Sequence, residues 1–220
     1  KDSKLKKIYK KITFSHTYKT RKSRNRIVNF LRNHQEKKII INIGAGNTNY
    51  NKKVINIDIE IHPNIDLIAD SKLLPFKNES VDIIISQAVL EHTPDSVENI
   101  DEMHRVLTKD GLIFCEVPFM QTYHAHPHDY FRFTHSGLRN LFKNFEVQEE
   151  GISVGPASAF SLNLRILIST LFSFGNKKIF FIVGILANWI TIPFKFLDII
   201  LEKNPLSFYS ASGIYSIFKK

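Results

Sequence analysis

Residues 39–60 read IIINIGAGNTNYNKKVINIDIE. A β-branched apolar run, Ile39 to Ile43, feeds a turn bounded by Gly44 and Gly46, and a second run, Val54 to Ile57, ends on Asp58. The first run is short and apolar enough for a buried strand, and the two glycines let the backbone approach a ligand closely. Asp58 is then expected at the carboxyl end of the neighbouring strand. In an open parallel sheet that edge binds ligands, and a carboxylate there can accept both hydroxyl protons of a ribose. The stretch therefore predicts a cofactor that contains a nucleoside.

Spacing narrows the choice. A dinucleotide fingerprint needs G-x-G-x-x-G with its acid about 20 residues further on. Here Asn49 stands at the third glycine position and Asp58 follows Gly46 by twelve residues, too few for the usual crossover helix. The chain has no G-x-x-x-x-G-K-[ST] phosphate loop. A site without a pyrophosphate cradle suits S-adenosylmethionine better than NAD or ATP.

The next segments repeat the pattern. Ile65 to Ala69 and Val81 to Ser86 are further short apolar runs, so successive strands deliver Asp58, then Asp70 and Ser71, then Ser86 and Gln87 to one edge. With these residues in place the sequence resembles the class I S-adenosylmethionine-dependent methyltransferases. The likeness is carried by NIGAG, INIDI, IADSKLLPF, SVDIIISQAVLEH and HRVLTKDGLIFCEVP, over roughly residues 38–155 and the last ten residues. Within that superfamily it looks most like small type 11-like members with a shortened first crossover, often found among cell-surface glycan enzymes.

The resemblance implies a Rossmann-like α/β sheet, mostly parallel with an antiparallel last strand, and S-adenosylmethionine as cofactor. Gly44, Ala45 and Gly46 would line its methionine and ribose part, Asp58 would hold the ribose hydroxyls, Asp70 and Ser71 the adenine edge, and Gln87 the wall beside the sulfonium. Asn42 stands where the superfamily usually has Asp or Glu; it can hydrogen-bond to the methionine moiety but brings no charge to its amino group. Thr48 replaces the usual third glycine of the G-x-G-x-G loop.

At 220 residues with 43% hydrophobic content, the chain fits one domain with an appendage. Its single cysteine, Cys115, excludes an intrachain disulfide and reads as a buried thiol, which predicts a reducing, cytoplasmic setting. The amino terminus has charge without an apolar run behind it, so no signal peptide is expected. The formal charge of +9 is uneven: residues 1–38 carry a net +12 and the remainder −3. Leu5, Ile8, Tyr9, Ile12 and Phe14 have helical spacing, and Ile27, Val28, Phe30 and Leu31 predict a second helix capping the sheet. The expected division is a basic helical arm over 1–37, a methyltransferase domain over 38–155 and 205–220, and an apolar helical insertion over 156–204. The arm reads either as a solvated extension or as a contact for anionic headgroups. No nucleic-acid-binding signature accompanies it, so nucleic acid is not expected as a partner.

Candidate catalytic residues follow the fifth strand, in VPFMQTYHAHPHDYFRFTHSGLRNLF over 117–142. His124, His126 and His128 alternate beside Asp129, a set of types that can ligate zinc. Pro127 interrupts the run and no second histidine pair has ligand spacing, so no metal site is assigned. The family resemblance instead matches an H-x-x-P-x-D-Y-x-R-x-T string at His124, Pro127, Asp129, Tyr130, Arg132 and Thr134. A hydroxyl acceptor must lose a proton, and histidine titrates in the right range. His124 is the expected general base, Asp129 orients it or the acceptor, and Arg132 grips an anionic or polar part of the substrate. His92, His126 and Tyr130 are expected substrate contacts. His104, in an amphipathic helix from about Ser96 to Leu107, is expected to be structural.

A sixth strand is predicted over Glu146–Val154 and the last in SASGIYSIFKK. About fifty residues separate them, including AFSLNLRILISTLFSFG and IFFIVGILANWITIPFKFLDII, both apolar and helical by pattern. Ile179 to Phe194 is sixteen residues without a charge, shorter than the ~20 a spanning helix requires, and Pro193 is expected to bend its end. An in-plane or hairpin contact with a membrane is predicted rather than a span; a cover for the core or a dimer face would use the same residues. The function expected is methyl transfer from S-adenosylmethionine to an oxygen of a glycan or lipid-linked small-molecule acceptor, in the cytoplasm and peripheral to the inner face of a membrane. A non-catalytic adenosyl-binding or membrane scaffold protein is the alternative, followed by a metal-dependent hydrolase.

Overall fold

The computed structural model describes residues 19–34, 36–37, 39–51 and 53–220. The helix expected over Leu5 to Phe14 lies outside the described residues. Seven strands form one sheet in the order β3-β2-β1-β4-β5-β7-β6. They are β1 (Ile40–Ile43), β2 (Val54–Asp58), β3 (Leu67–Ile68), β4 (Val81–Gln87), β5 (Leu107–Pro118), β6 (Glu146–Val154) and β7 (Gly213–Lys219). β1 pairs in parallel with β2 and β4, β2 with β3, and β4 with β5. Ile43 lies level with Ile57 and Ser86, and Gln87 with Glu116, so these strands end along one edge.

The far side of the sheet runs the other way. Lys220 donates its backbone N–H to Gly111 near the start of β5, whereas Met120, just past the end of β5, donates to Ala211 before β7. That makes β7 antiparallel to β5. The predicted bounds of β6 are those observed, while β3 keeps only two of its five expected residues. The cause is Asp66: its carboxylate takes the Asn56 amide at 2.8 Å, a donor that a longer ladder would otherwise use.

Contacts divide the chain into two compact units. The larger comprises residues 24–119, 123–151 and 214–220. Its central strands are buried on both faces, as the continuous apolar runs of a parallel sheet require. Helix α1 (Arg21–Asn33) turns Ile27, Phe30 and Leu31 into the sheet core. Phe30 meets Phe114 with ring centroids 5.6 Å apart, and the Arg26 guanidinium lies 3.9 Å over the Tyr215 ring. Helix α2 (Ser96–Val106) starts where Asp95 accepts the amides of Val97 and Glu98, satisfying two of the first-turn donors. It ends near Arg105, which bonds Glu102 twice and the carbonyls of Leu74 and Phe76, fixing the loop between β3 and β4. His104 stacks edge-on against Phe145 within this packing.

The smaller unit covers residues 120–122, 152–213 and the described part of 1–23. Helices α4 (Pro156–Ser173) and α5 (Lys177–Thr191) form an antiparallel hairpin, with α3 (His135–Leu141) preceding them in the larger unit. The carboxylate of Asp198 caps α4 by accepting the amides of Ala157 and Ser158 at 2.8 and 2.9 Å. Gly155 is glycine because a Cβ there would stand 2.2 Å from that carboxylate. The expected bend at Pro193 does not interrupt the helix. Proline sits in the first turn of a 3-10 segment, where its missing N–H is not needed. The helical run therefore extends from Lys177 to Leu201, 25 residues containing an 18-residue window of mean hydropathy 1.8, and by length and composition it is long and apolar enough to cross a membrane.

The polarity of this hairpin is reversed. Apart from Leu162 its buried positions are small or polar, among them Ser158, Ser161, Ser169, Gly184, Ala187 and Thr191. Leu167, Leu171, Phe181, Ile182, Leu186, Trp189 and Ile190 are all more than half exposed. Close packing of small residues with large apolar side chains turned outward is the pattern of helices that meet lipid.

Candidate active site

The first crossover determines the floor of the site. Gly44 and Gly46 both adopt positive φ, +60° and +49°, a backbone conformation that side chains resist. Ala45, buried, donates its N–H to the Ile57 carbonyl and ties the turn to β2. The amide of Gly46 donates to Oδ2 of Asp58 at 2.7 Å and that of Glu60 donates to Oδ1 at 3.0 Å. The carboxylate is thus aimed by two backbone donors and keeps lone pairs for a further partner. A Cβ on Gly44 would stand 2.5 Å from Val89, whereas one on Gly46 would meet nothing within 4 Å, because it opens on the cleft.

That cleft has a volume of about 380 Å³ and lies along the carboxyl ends of the strands. Gly44, Gly46, Asp58, Asp70 and Ser71 of the expected cofactor residues line it, as do the expected substrate contacts His92, His126 and Tyr130. Glu60, His62, Ala88, Val89, Thr93 and His128 complete much of the wall. Asp70 accepts the Lys72 amide at 3.0 Å, and Ser71 bonds Asn99 of α2. A volume of this size, two glycines that leave room for a ligand and a pre-aimed carboxylate fit an adenosyl cofactor.

Three expected cofactor residues are not part of the lining: the buried Ala45 and Asn42, together with Gln87. Asn42 is 2% exposed and donates its amide to Asn56 at 3.1 Å, and Asn56 in turn reaches the Asn64 carbonyl, so this polar chain stitches β1 to β2. Asn42 thus bonds across to β2 and is not among the residues that line the cleft. Gln87 accepts the Tyr50 hydroxyl and donates to Glu116 at 2.7 Å. Burial, reinforced by Glu116, raises the Tyr50 pKa and keeps its phenol protonated.

The loop after β5 folds back over β4. The Tyr130 amide donates to the Glu91 carbonyl at 2.7 Å, and His92 donates from Nδ1 to the His128 carbonyl at 2.6 Å. Asp129 is 1% exposed on its side chain and receives Arg132 through both carboxylate oxygens at 2.6 Å, together with the His124 amide at 2.7 Å. Arg132, first among these, holds the Asp129 pKa down to about 2. The role of Arg132 as a grip on substrate is corrected: its guanidinium is paired with Asp129 and the Phe131 carbonyl, and it also bonds Nδ1 of His124 at 3.1 Å. Thr134 caps α3 through the Gly137 amide.

This folding brings His124 beside His92, their rings edge to face at 5.3 Å, with Glu91 between them and the β4 end. Nε2 of His124 is 3.7 Å, and Nε2 of His92 3.9 Å, from Oε1 of Glu91. Glu91 is fully buried. The sequence reading missed it, although it adjoins His92 in LEHT, because a glutamate next to a histidine has no distinguishing period. The alternating histidines do not converge: His126 and His128 are exposed. Cys115, also buried, has its thiol pKa raised by burial and stays protonated.

Residues 41–115 match the family model for a methyltransferase domain. No curated protein sequence matches the chain. Among solved structures, an S-adenosylmethionine-dependent methyltransferase from Archaeoglobus fulgidus is 13% identical, with a TM-score of 0.54 over 98% of this chain and 99% of that one. The 1,6-didemethyltoxoflavin N1-methyltransferase of Burkholderia thailandensis, solved with S-adenosylhomocysteine, is 13% identical, with a TM-score of 0.53 over 90% of this chain and 78% of that one. The [4+2]-cyclase SpnF is 11% identical, with a TM-score of 0.51 over 89% and 80%. At these identities the neighbours show the fold alone; the methyltransferase-domain match over residues 41–115 agrees with it, and the chain has the class I methyltransferase fold.

Proposed function

We propose that the chain methylates a hydroxyl oxygen of a glycan or lipid-linked acceptor. The supporting observation is the buried Glu91 carboxylate facing two imidazoles, of which His92 lines the cleft. An amine acceptor can attack with its own lone pair, but a hydroxyl must shed a proton and needs a group to receive it. Bound S-adenosylmethionine supplies an electrophilic methyl on a sulfonium. The chain's residues position the partners: Asp58 and the glycine turn hold the adenosyl part, and Asp70 and Ser71 border its base. The acceptor's proton leaves toward Nε2 of His92, whose Nδ1–H is held by the His128 carbonyl, with His124 beside it. Asp129 and Arg132 act as positioning residues that hold the His124 ring.

A lipid-linked acceptor is favoured by the reversed polarity of the α4–α5 hairpin, whose outward face is large and apolar. Membrane contact would be peripheral, through this face, on the cytoplasmic side. The test is incubation with labelled S-adenosylmethionine and a membrane and polysaccharide fraction, followed by identification of the product. Label in a base-stable ether on a glycan or lipid-linked species is expected. Label in an amine or a carboxyl ester would overturn the reading.

A further inference from the structure

We propose that Glu91, His92 and His124 form a binding site for one divalent cation of the zinc class. Neither carboxylate oxygen of the fully buried Glu91 accepts a hydrogen bond. A buried carboxylate in that state is strongly disfavoured unless positive charge stands against it. Oε1 faces both imidazole Nε2 atoms, at 3.7 and 3.9 Å, and the three ligand atoms lie within 4.8 Å of one another. Zinc with bonds of ~2.0–2.1 Å holds tetrahedral ligand atoms about 3.4 Å apart. Each carboxylate–imidazole edge is therefore within about half an ångström of a loaded site.

The surroundings of His92 already suit ligation. Its Nδ1–H donates to the His128 carbonyl, which leaves the Nε2 lone pair aimed at the cluster, the outer arrangement that ligating histidines use. His124 differs, because Arg132 donates to its Nδ1 and the neutral ring then carries its proton on Nε2, facing Glu91. Loading displaces that proton. Nδ1, protonated in exchange, turns to Oδ2 of Asp129, 3.7 Å away, giving a carboxylate–histidine–metal sequence. Two imidazole nitrogens and one carboxylate select a borderline first-row ion over magnesium or calcium. Three protein ligands leave a position open, and His92 places that opening at the cleft wall. The site stands on this geometry alone; its use rests on the oxygen-acceptor reading. With the imidazole lone pairs taken by the cation, an acceptor hydroxyl at the open position would be acidified by it and would release its proton to water in place of His92.

The test is titration of the metal-depleted full chain with cobalt(II), read by visible absorption and followed by competition with zinc. About one equivalent is expected, with a nitrogen–oxygen ligand-field spectrum that zinc abolishes. Glu91→Gln, His92→Ala and His124→Ala should each weaken binding at least about tenfold, and His126→Ala should leave it unchanged. S-adenosylhomocysteine binding, measured on the same samples, verifies that each variant is folded and reports the donor site separately. Absence of stoichiometric cobalt binding by the wild-type chain overturns the proposal whatever the variants do, and leaves the methyl-donor reading intact. Unchanged affinity in Glu91→Gln, or its loss in His126→Ala, overturns it as well.

Discussion

The backbone amide of Gly46 donates to Oδ2 of Asp58 at 2.7 Å, so the glycine turn and the acid twelve residues later form one unit. Asp58 shapes the turn and, in the proposed function, also receives the ligand. Asp58→Asn retains acceptor capacity and loses the charge; a loss of about tenfold in S-adenosylhomocysteine affinity is expected, about 1.4 kcal/mol. Asp58→Ala removes both functions and should lose more. Isothermal titration checks the order, and equal affinities in all three proteins would contradict the assigned role.

The two glycines of the turn should respond differently to the same change. Gly44→Ala combines positive φ with a Cβ 2.5 Å from Val89, and about 2–4 kcal/mol of destabilisation is expected by urea denaturation. Gly46→Ala carries the φ strain without a clash, about 1 kcal/mol. Its methyl enters the cleft, so cofactor affinity should fall further than stability does.

Asp129 gives the loop an acid limit. Its folded pKa, about 2, lies below the unfolded carboxyl value, so its stabilisation is fully present above about pH 5 and is lost as pH falls toward 2. The shift corresponds to about 2 kcal/mol for this buried side chain. Asp129→Asn should lower the urea midpoint at pH 7 and flatten its decline between pH 4 and about 2. A parallel decline in both proteins would show that Asp129 is not the group responsible.

Trp189 is the only tryptophan and is 62% exposed on the apolar face of α5. Adding vesicles that contain anionic lipid should shift its emission to the blue. The shift should vanish in Phe181→Asp with Ile185→Asp, two exposed positions on the same helix. Emission unchanged by vesicles, together with a chain that stays in the soluble fraction on flotation, would remove the membrane contact from the proposed function.

Arg105 anchors the loop that carries Asp70 and Ser71 toward the cleft. Lysine cannot reproduce a planar group that reaches Glu102, Leu74, Phe76 and Asn78 together. Arg105→Lys should destabilise the chain by about 2–4 kcal/mol and weaken S-adenosylhomocysteine binding in proportion to the loop's disorder, measured by hydrogen exchange over residues 70–78.

Local patterns were sufficient for most of the sheet. Ile40 to Ile43 and Val81 to Ile85 are apolar but for Asn42 and Asp82 because parallel strands are covered on both faces, and such runs can be recognised without knowing their neighbours. Asp58 was legible for the same reason, since a strand's end and its first polar residue are local. Asn42 was not: whether a buried amide meets a ligand or another side chain depends on Asn56, fourteen residues away on the adjacent strand.

By itself the sequence determined most of the strands, the glycine turn with Asp58, and the apolar helical character of the insertion, all properties of neighbouring residues. The tertiary structure alone decided that Arg132 closes on Asp129 and that His124 comes to rest beside Glu91 and His92. The physical reason is distance along the chain. Glu91 follows β4 and His124 follows β5, so only parallel pairing of those strands and the return of the loop convert a glutamate next to a histidine into a buried carboxyl group facing two imidazoles.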